Sequence, residues 1–317
     1  MTPESQLLYA ACCGDTQRVR ELLEQGVPVD SRDGRGRTSL MLAVRNDCVD
    51  TVALLLAAGA DATARNKGQL QVIDWVSNAS IACMVLDCMP EAQRVQAATR
   101  LLFRSRVPEV WKCALAAGAQ VNARNKRADT PLLQHCFYDA DPERIRLLLE
   151  AGADASTRNR GGHTTVSLLA RHNNVESLRL LIAAGADADE VDDDGCTPLH
   201  HAVLWGSVEL AAELLAMGLD VNQSDSMGRT PIMHARGDDA AMIQRLLQAG
   251  ADVNLADKDG WTPLHSCAVY NLPDLVPMLL AAGANPQLRD NLGQTPAEMA
   301  EARGNPAVVR ALQLSGK

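Results

Sequence analysis

Eight glycines set the frame of this sequence: Gly26, Gly59, Gly118, Gly152, Gly185, Gly218, Gly250 and Gly283. Their successive gaps are 33, 59, 34, 33, 33, 32 and 33 residues. Each follows a Leu-containing stretch and small residues, and Ala-Asp often comes next. A spacing held over so much of the chain excludes one deep core, because each unit is too small to bury its apolar face alone and must stack on neighbours. The 59-residue gap fits one full unit plus one shortened by about seven residues.

A second theme keeps the same period: Thr38-Ser39-Leu40, Thr130-Pro131-Leu132, Thr164-Thr165-Val166, Thr197-Pro198-Leu199-His200, Thr230-Pro231-Ile232, Thr262-Pro263-Leu264-His265 and Thr295-Pro296-Ala297. Thr before Pro suits an N-cap followed by proline at the first helical position. The pattern predicts a helix over Pro198–Leu204 that stops at Gly206. A second, from about Val208 to Ala216, puts Leu210, Leu214 and Leu215 on one face. Gly218 then ends it where a left-handed residue is needed. The reading is an all-α repeat, a solenoid of stacked helix-turn-helix units.

These residues resemble the ankyrin repeat family, through the Thr-Pro-Leu-His start and the Leu-Leu-x-x-Gly-Ala-Asp end. The resemblance implies a single solenoid over 1–317 of about ten repeats, with β-hairpin fingers, a concave groove and a role in protein–protein recognition. Residues 1–30 lack the hairpin entry and read as an N-terminal capping repeat; 290–317 read as the C-terminal one. Residues 66–117 depart from the pattern. Gly68-Gln69-Leu70-Gln71-Val72 replaces the Thr-Pro start, and Leu86-Asp87-Cys88-Met89-Pro90 replaces the Leu-Leu-x-x-Gly end. Two degenerate repeats are expected there, either drifted or serving as a break in curvature or a docking face.

Composition agrees with thin layers. Hydrophobic residues reach 47% while aromatics are only 3%, so Ala, Leu and Val supply the apolar surface. Lys and Arg total 30 against 39 Asp and Glu, a net charge of −9. That balance argues against nucleic acid or anionic membrane as a general partner. The excess is uneven: residues 161–317 carry 10 basic against 20 acidic groups. Nine scattered cysteines read as reduced thiols of a cytoplasmic protein, with Cys12, Cys13 and Cys196 as candidates for exposure. No basic stretch followed by an apolar run opens the sequence, so no signal peptide is expected, and no run of about 20 apolar residues could span a bilayer.

Chemistry is hard to find. Glu190-Val191-Asp192-Asp193-Asp194-Gly195 imitates the start of a calcium loop, but its twelfth position is His201 rather than a bidentate Glu. By the resemblance, His200 and His265 bond structurally to the loop of a neighbouring unit. His135 and Cys136 are adjacent on a helix and point about 100° apart, so they make no catalytic pair. Cys83 and Cys88 miss the CxxC spacing. No phosphate loop, nucleophile elbow or HExxH pair is present. The expectation is a non-enzyme without cofactor or metal.

Information must then lie in the variable slots. With Gly195 and its equivalents in register, the hairpin tips carry Arg35, Arg37, Lys126, Arg127, Met227, Arg229 and Trp261. The first-helix ends carry Phe137-Tyr138, Arg171-His172, Leu204-Trp205, Gly237-Asp238 and Val269-Tyr270. Five of the nine aromatics fall in these slots, which should face solvent. The alternative is that single exposed aromatics are ordinary and that Trp205 and Trp261 partly pack on neighbouring repeats. The reading adopted is a partner-binding stripe of Arg35, Arg37, Lys126, Arg127, Phe137, Tyr138, Arg171, His172, Trp205, Met227, Arg229, Trp261 and Tyr270. The partner would be a protein, met as an extended peptide, a helix or a domain surface, by a monomeric scaffold. An inhibitor or regulator of an enzyme, and a secreted bacterial effector, are the alternatives.

Overall fold

A computed structural model describes residues 1–236 and 240–314 of the chain. Among them are 18 α-helices and three short 3-10 turns, and no strand longer than a single bridge. Contacts group the chain into two compact units, Met1–Ala123 with Glu150–Ala153, and Arg124–Leu149 with Asp154–Lys317. The slots at Gly237 and Asp238 lie outside the described residues, as do 315–317 of the C-terminal repeat.

The repeat unit is visible in the second of these. Pro198–Leu204 and Val208–Ala216 are helices with the bounds their sequence predicts. Thr197 caps the first: its Oγ1 accepts from the His200 amide at 3.4 Å. Thr130, Thr164 and Thr295 cap their own helices in the same way. This satisfies an amide that the first helical turn leaves without a partner. Gly218 has φ 91° and each of the other seven period glycines lies between 82° and 92°, a region open to glycine at little cost. Leu210, Ala211 and Leu214 are buried, and Leu199, Ala202 and Val203 from the first helix are buried too.

His200 ties one unit to the next. Its Nδ1 accepts from the Thr197 amide at 3.1 Å, and its Nε2–H donates to the Arg229 carbonyl at 3.0 Å. His265 repeats the arrangement between Thr262 and Gln294. Both imidazoles therefore act as buried struts, as their position implies.

Each hairpin is a tight turn held by one carboxylate or amide side chain. Asp192 Oδ1 accepts from the amides of Asp194 and Cys196 at 3.0 and 2.9 Å. Asn125 Oδ1 does the same for Arg127 and Asp129, and Asn159 Oδ1 for Gly161 and His163. Three hairpins add an isolated antiparallel bridge, such as Arg158 with Thr164. Successive turns pack closely: a Cβ on Gly162 would stand 2.7 Å from the Asp193 backbone nitrogen.

The first unit contains the departure from the pattern. Val72–Trp75 forms only a 3-10 turn where a first helix would stand. Glu91–Arg104, at 14 residues, is the longest helix described. It compensates for the lost helix with charge: Arg100 and Arg104 both reach the Asp74 carboxylate, the latter at 2.7 Å. Trp111 is fully buried and donates from Nε1 to the Ser105 carbonyl at 3.1 Å.

Two expectations about cysteine are corrected. Cys83 and Cys113 form a disulfide, with Cα atoms 5.5 Å apart, between the helices Ala79–Asp87 and Pro108–Ala116. Cys196 is buried rather than exposed, because its side chain turns inward toward Asp225. The other thiols are free.

Candidate functional site

The first-helix ends of residues 124–236 converge on a cation–aromatic ladder. Pro131–Tyr138 ends at Phe137 and Tyr138, whose rings meet edge to face at 5.0 Å. The next first helix ends in the 3-10 turn Ala170–His172, which swings Arg171 outward. The Arg171 guanidinium carbon lies 4.5 Å from the Phe137 ring centre and 4.7 Å from that of Trp205. One cation thus bridges aromatics from the repeats on either side. Each such contact is worth about 0.5–1 kcal/mol at an exposed site. His172 Nε2–H donates to the Phe137 carbonyl at 2.8 Å, which fixes the helix end carrying that ring.

A second, separate pair stands further along. Arg236 lies 3.5 Å over the Tyr270 ring. The register rule missed Arg236 for a physical reason. Pro231–His234 is a 3-10 turn, so the outward position arrives before the slot the longer helices would assign to it.

These rings are open to solvent. Trp205 and Tyr138 are each 53% exposed, with Phe137 and Tyr270 less so. Beside Phe137 and Tyr138, a cavity of about 580 Å³ opens between two neighbouring hairpins, lined by Lys126, Arg127, Arg160 and His163. Phe137 and Tyr138 line it together with these basic groups and Asp129.

Several proposed contacts stand differently. Arg229 is engaged within its own hairpin, with Nε at 2.9 Å and a terminal nitrogen at 2.8 Å from Asp225 Oδ2. Arg37 is held by Asp33 at 2.7 Å in the same way. A partner carboxylate would have to displace these pairs. Met227 is exposed at its hairpin tip. Trp261 is half-buried at another, where its backbone amide donates to Asp257 at 2.8 Å, and it takes no part in the ladder's cation contacts. Arg35 is exposed but, with Arg37, belongs to the first compact unit.

Stacking also gathers acid–base groups that sequence spacing keeps apart. Asp192 Oδ2 receives His201 Nε2 at 2.7 Å and faces His163 Nδ1 at 3.4 Å. Burial alone would raise the Asp192 carboxyl, but the neighbouring His163 imidazole and the hydrogen bond from His201 hold it far below the usual carboxylate range. The Asp192 carboxylate facing it raises the His163 pKa. One repeat further on, Asp225 Oδ2 receives His234 Nε2 at 3.0 Å, and Cys196 Sγ lies 4.0 Å away. Burial pushes the Cys196 thiol up to about 12, so it stays protonated and unreactive.

The profile of a family described as ankyrin repeats (3 copies) matches residues 2–66, 132–225, 166–257, 214–290 and 235–316. The stretch between 66 and 132, which contains the Asp74 clamp, falls outside these matches. Over 173 residues, 51% of this chain, the sequence is 30% identical to the human ankyrin repeat and SOCS box protein 6 and equally to its counterpart from Pongo abelii. The aligned part spans 34% of those proteins, about a third of their length.

Proposed function

We propose a binding function from one premise: this chain belongs to the ankyrin repeat family, whose repeats are generally protein–protein interaction modules. Its contact face is the ladder Tyr138–Phe137–Arg171–Trp205, extended by Arg236 and Tyr270. The observation that carries this reading is the Arg171 guanidinium between two exposed rings. Aromatic and Arg side chains clustered in the open have the composition of interface anchors, and a contiguous exposed apolar patch marks an interaction surface. The Lys126, Arg127 and Arg160 side chains lining the neighbouring cavity favour a partner segment with an apolar side chain flanked by carboxylates.

In this reading the chain acts by holding its partner, without catalysis. An intracellular site of action belongs to the same proposal, with the seven free thiols for it and the Cys83–Cys113 disulfide against it; fractionation of the native cell checks it. The function itself is tested by parallel capture with the full chain and with its Trp205→Ala variant. A protein retained stoichiometrically by the first and lost from the second supports the assignment. Equal retention by both overturns it.

A further inference from the structure

We propose that His163, Asp192 and His201 form a binding site for a divalent first-row transition metal, with zinc as the physiological candidate. The inference is independent of the partner reading. Asp192 and His201 belong to one repeat, nine residues apart, and His163 to the repeat before it, yet one ligand atom from each falls within 4.8 Å of the others. Two imidazoles and a carboxylate are a donor set that zinc accepts, with a fourth position left open.

The spacing suits coordination. Ligand atoms on a tetrahedral zinc lie about 3.3 Å apart, given bond lengths near 2.0–2.1 Å. His163 Nδ1 already stands 3.4 Å from Asp192 Oδ2. His201 Nε2, at 2.7 Å, has to open by about 0.6 Å as the metal replaces the proton it shares with that oxygen. That proton passes to solvent, so affinity falls as the pH is lowered.

The ligands are held from behind. Asp192 has a side chain only 1% exposed, and its Oδ1 is committed to the hairpin amides of Asp194 and Cys196. Only Oδ2 is left to face the imidazoles, the outer-shell orientation that metal carboxylates need. His163 Nδ1 is shielded from water and has no hydrogen-bond partner closer than that long contact to Asp192. The close packing of Gly162 on Asp193 keeps this imidazole in register with the next hairpin. Asp193 and Asp194 add negative charge around it. Asp192, Asp194 and His201 also border a cavity of about 430 Å³, which gives a fourth ligand, water or a partner side chain, room to enter.

The neighbouring triplet Cys196, Asp225 and His234 is a different case. Its carboxylate oxygen already carries the Arg229 guanidinium, which occupies the place of a cation, and its thiol is kept protonated by burial.

The test is calorimetric titration of zinc chloride into the full chain, carrying an affinity tag that contains no histidine. His163→Ala, His201→Ala and Asp192→Asn are compared with the parent protein. Asn in place of Asp192 keeps the hairpin, since Asn125 and Asn159 hold equivalent turns through Oδ1. Circular dichroism confirms that each variant is folded. One zinc per chain is expected, with affinity reduced at least about 100-fold in each variant, and cobalt in the same site should show tetrahedral visible bands. Cys196→Ser should leave binding unchanged. No zinc binding, or binding that survives all three substitutions or vanishes with Cys196→Ser, overturns the proposal.

Discussion

Arg171 places its guanidinium carbon 4.7 Å from the centre of the Trp205 ring, one repeat along the stack. The contact joins two positions that differ from repeat to repeat, while the framework around them is constant. It therefore marks where this chain is individual.

Trp205→Ala should weaken binding of the natural partner by about 2 kcal/mol or more, the range of an interface anchor. Because the side chain is 53% exposed, stability should change by only about 0.5 kcal/mol. Affinity by calorimetry and urea unfolding of the same preparation separate the two effects. An unfolded variant would show that the ring is framework.

Association should be salt-dependent. Lys126, Arg127 and Arg160 ring the cavity next to Phe137, and the Debye length is about 8 Å at 0.15 M. A partner rich in carboxylates should lose on-rate as salt rises, with dissociation little changed. Stopped-flow measurements on Arg127→Glu should give a slower on-rate and a flatter salt dependence.

The first unit rests on a charge cluster where its repeat pattern lapses. Asp74→Ala removes the carboxylate that Arg100 and Arg104 share and that also accepts from the Gln71 amide at 2.8 Å. The expected loss is about 1–3 kcal/mol. Limited proteolysis should then cut first within residues 66–106. Urea unfolding followed by cleavage mapping checks this; first cuts within 130–290 would contradict it.

Acid should loosen the second unit through its buried imidazoles. Burial, with His200 beside it, pushes the His234 pKa down from 6.5 to about 4, and burial lowers that of His200 as well. In both cases the unfolded chain binds a proton that the folded one refuses. Stability is then full above about pH 6.5 and falls as the pH drops toward 4, by up to about 3 kcal/mol for His234. Asp225 and Arg229 face the same ring. The Asp225 carboxyl is held below its usual value, so its contribution is lost only below that window. His163, whose pKa is raised, has the opposite sign and keeps its contribution in acid. Urea midpoints between pH 7 and pH 4 should shift downward, and His234→Gln should reduce the shift.

The helices were legible because their signals are local. Thr197-Pro198 starts one and Gly218 ends its partner, and each signal acts within a few residues. Arg236 was missed because a 3-10 turn changed the count of residues to the surface. The Cys83–Cys113 link, 30 residues apart, and the meeting of His163 with Asp192 depend on how repeats stack. No spacing rule within one repeat contains that distance. The calcium-like stretch at 190–201 failed as a loop, yet it holds two of the three residues now proposed to bind a metal. A helix starting after Thr197 brings His201 back over Asp192.

The ladder as contact face is tested most directly by placing a photo-crosslinking amino acid at 205 in one preparation of the full chain and at 217 in another. Met217 is exposed too, but it follows a second helix and has no place in the ladder. Irradiation in the native cell, followed by mass spectrometry, should join residue 205 to a single partner protein and leave 217 without one. Cross-links from 217 alone, or equally from both, would contradict the assignment.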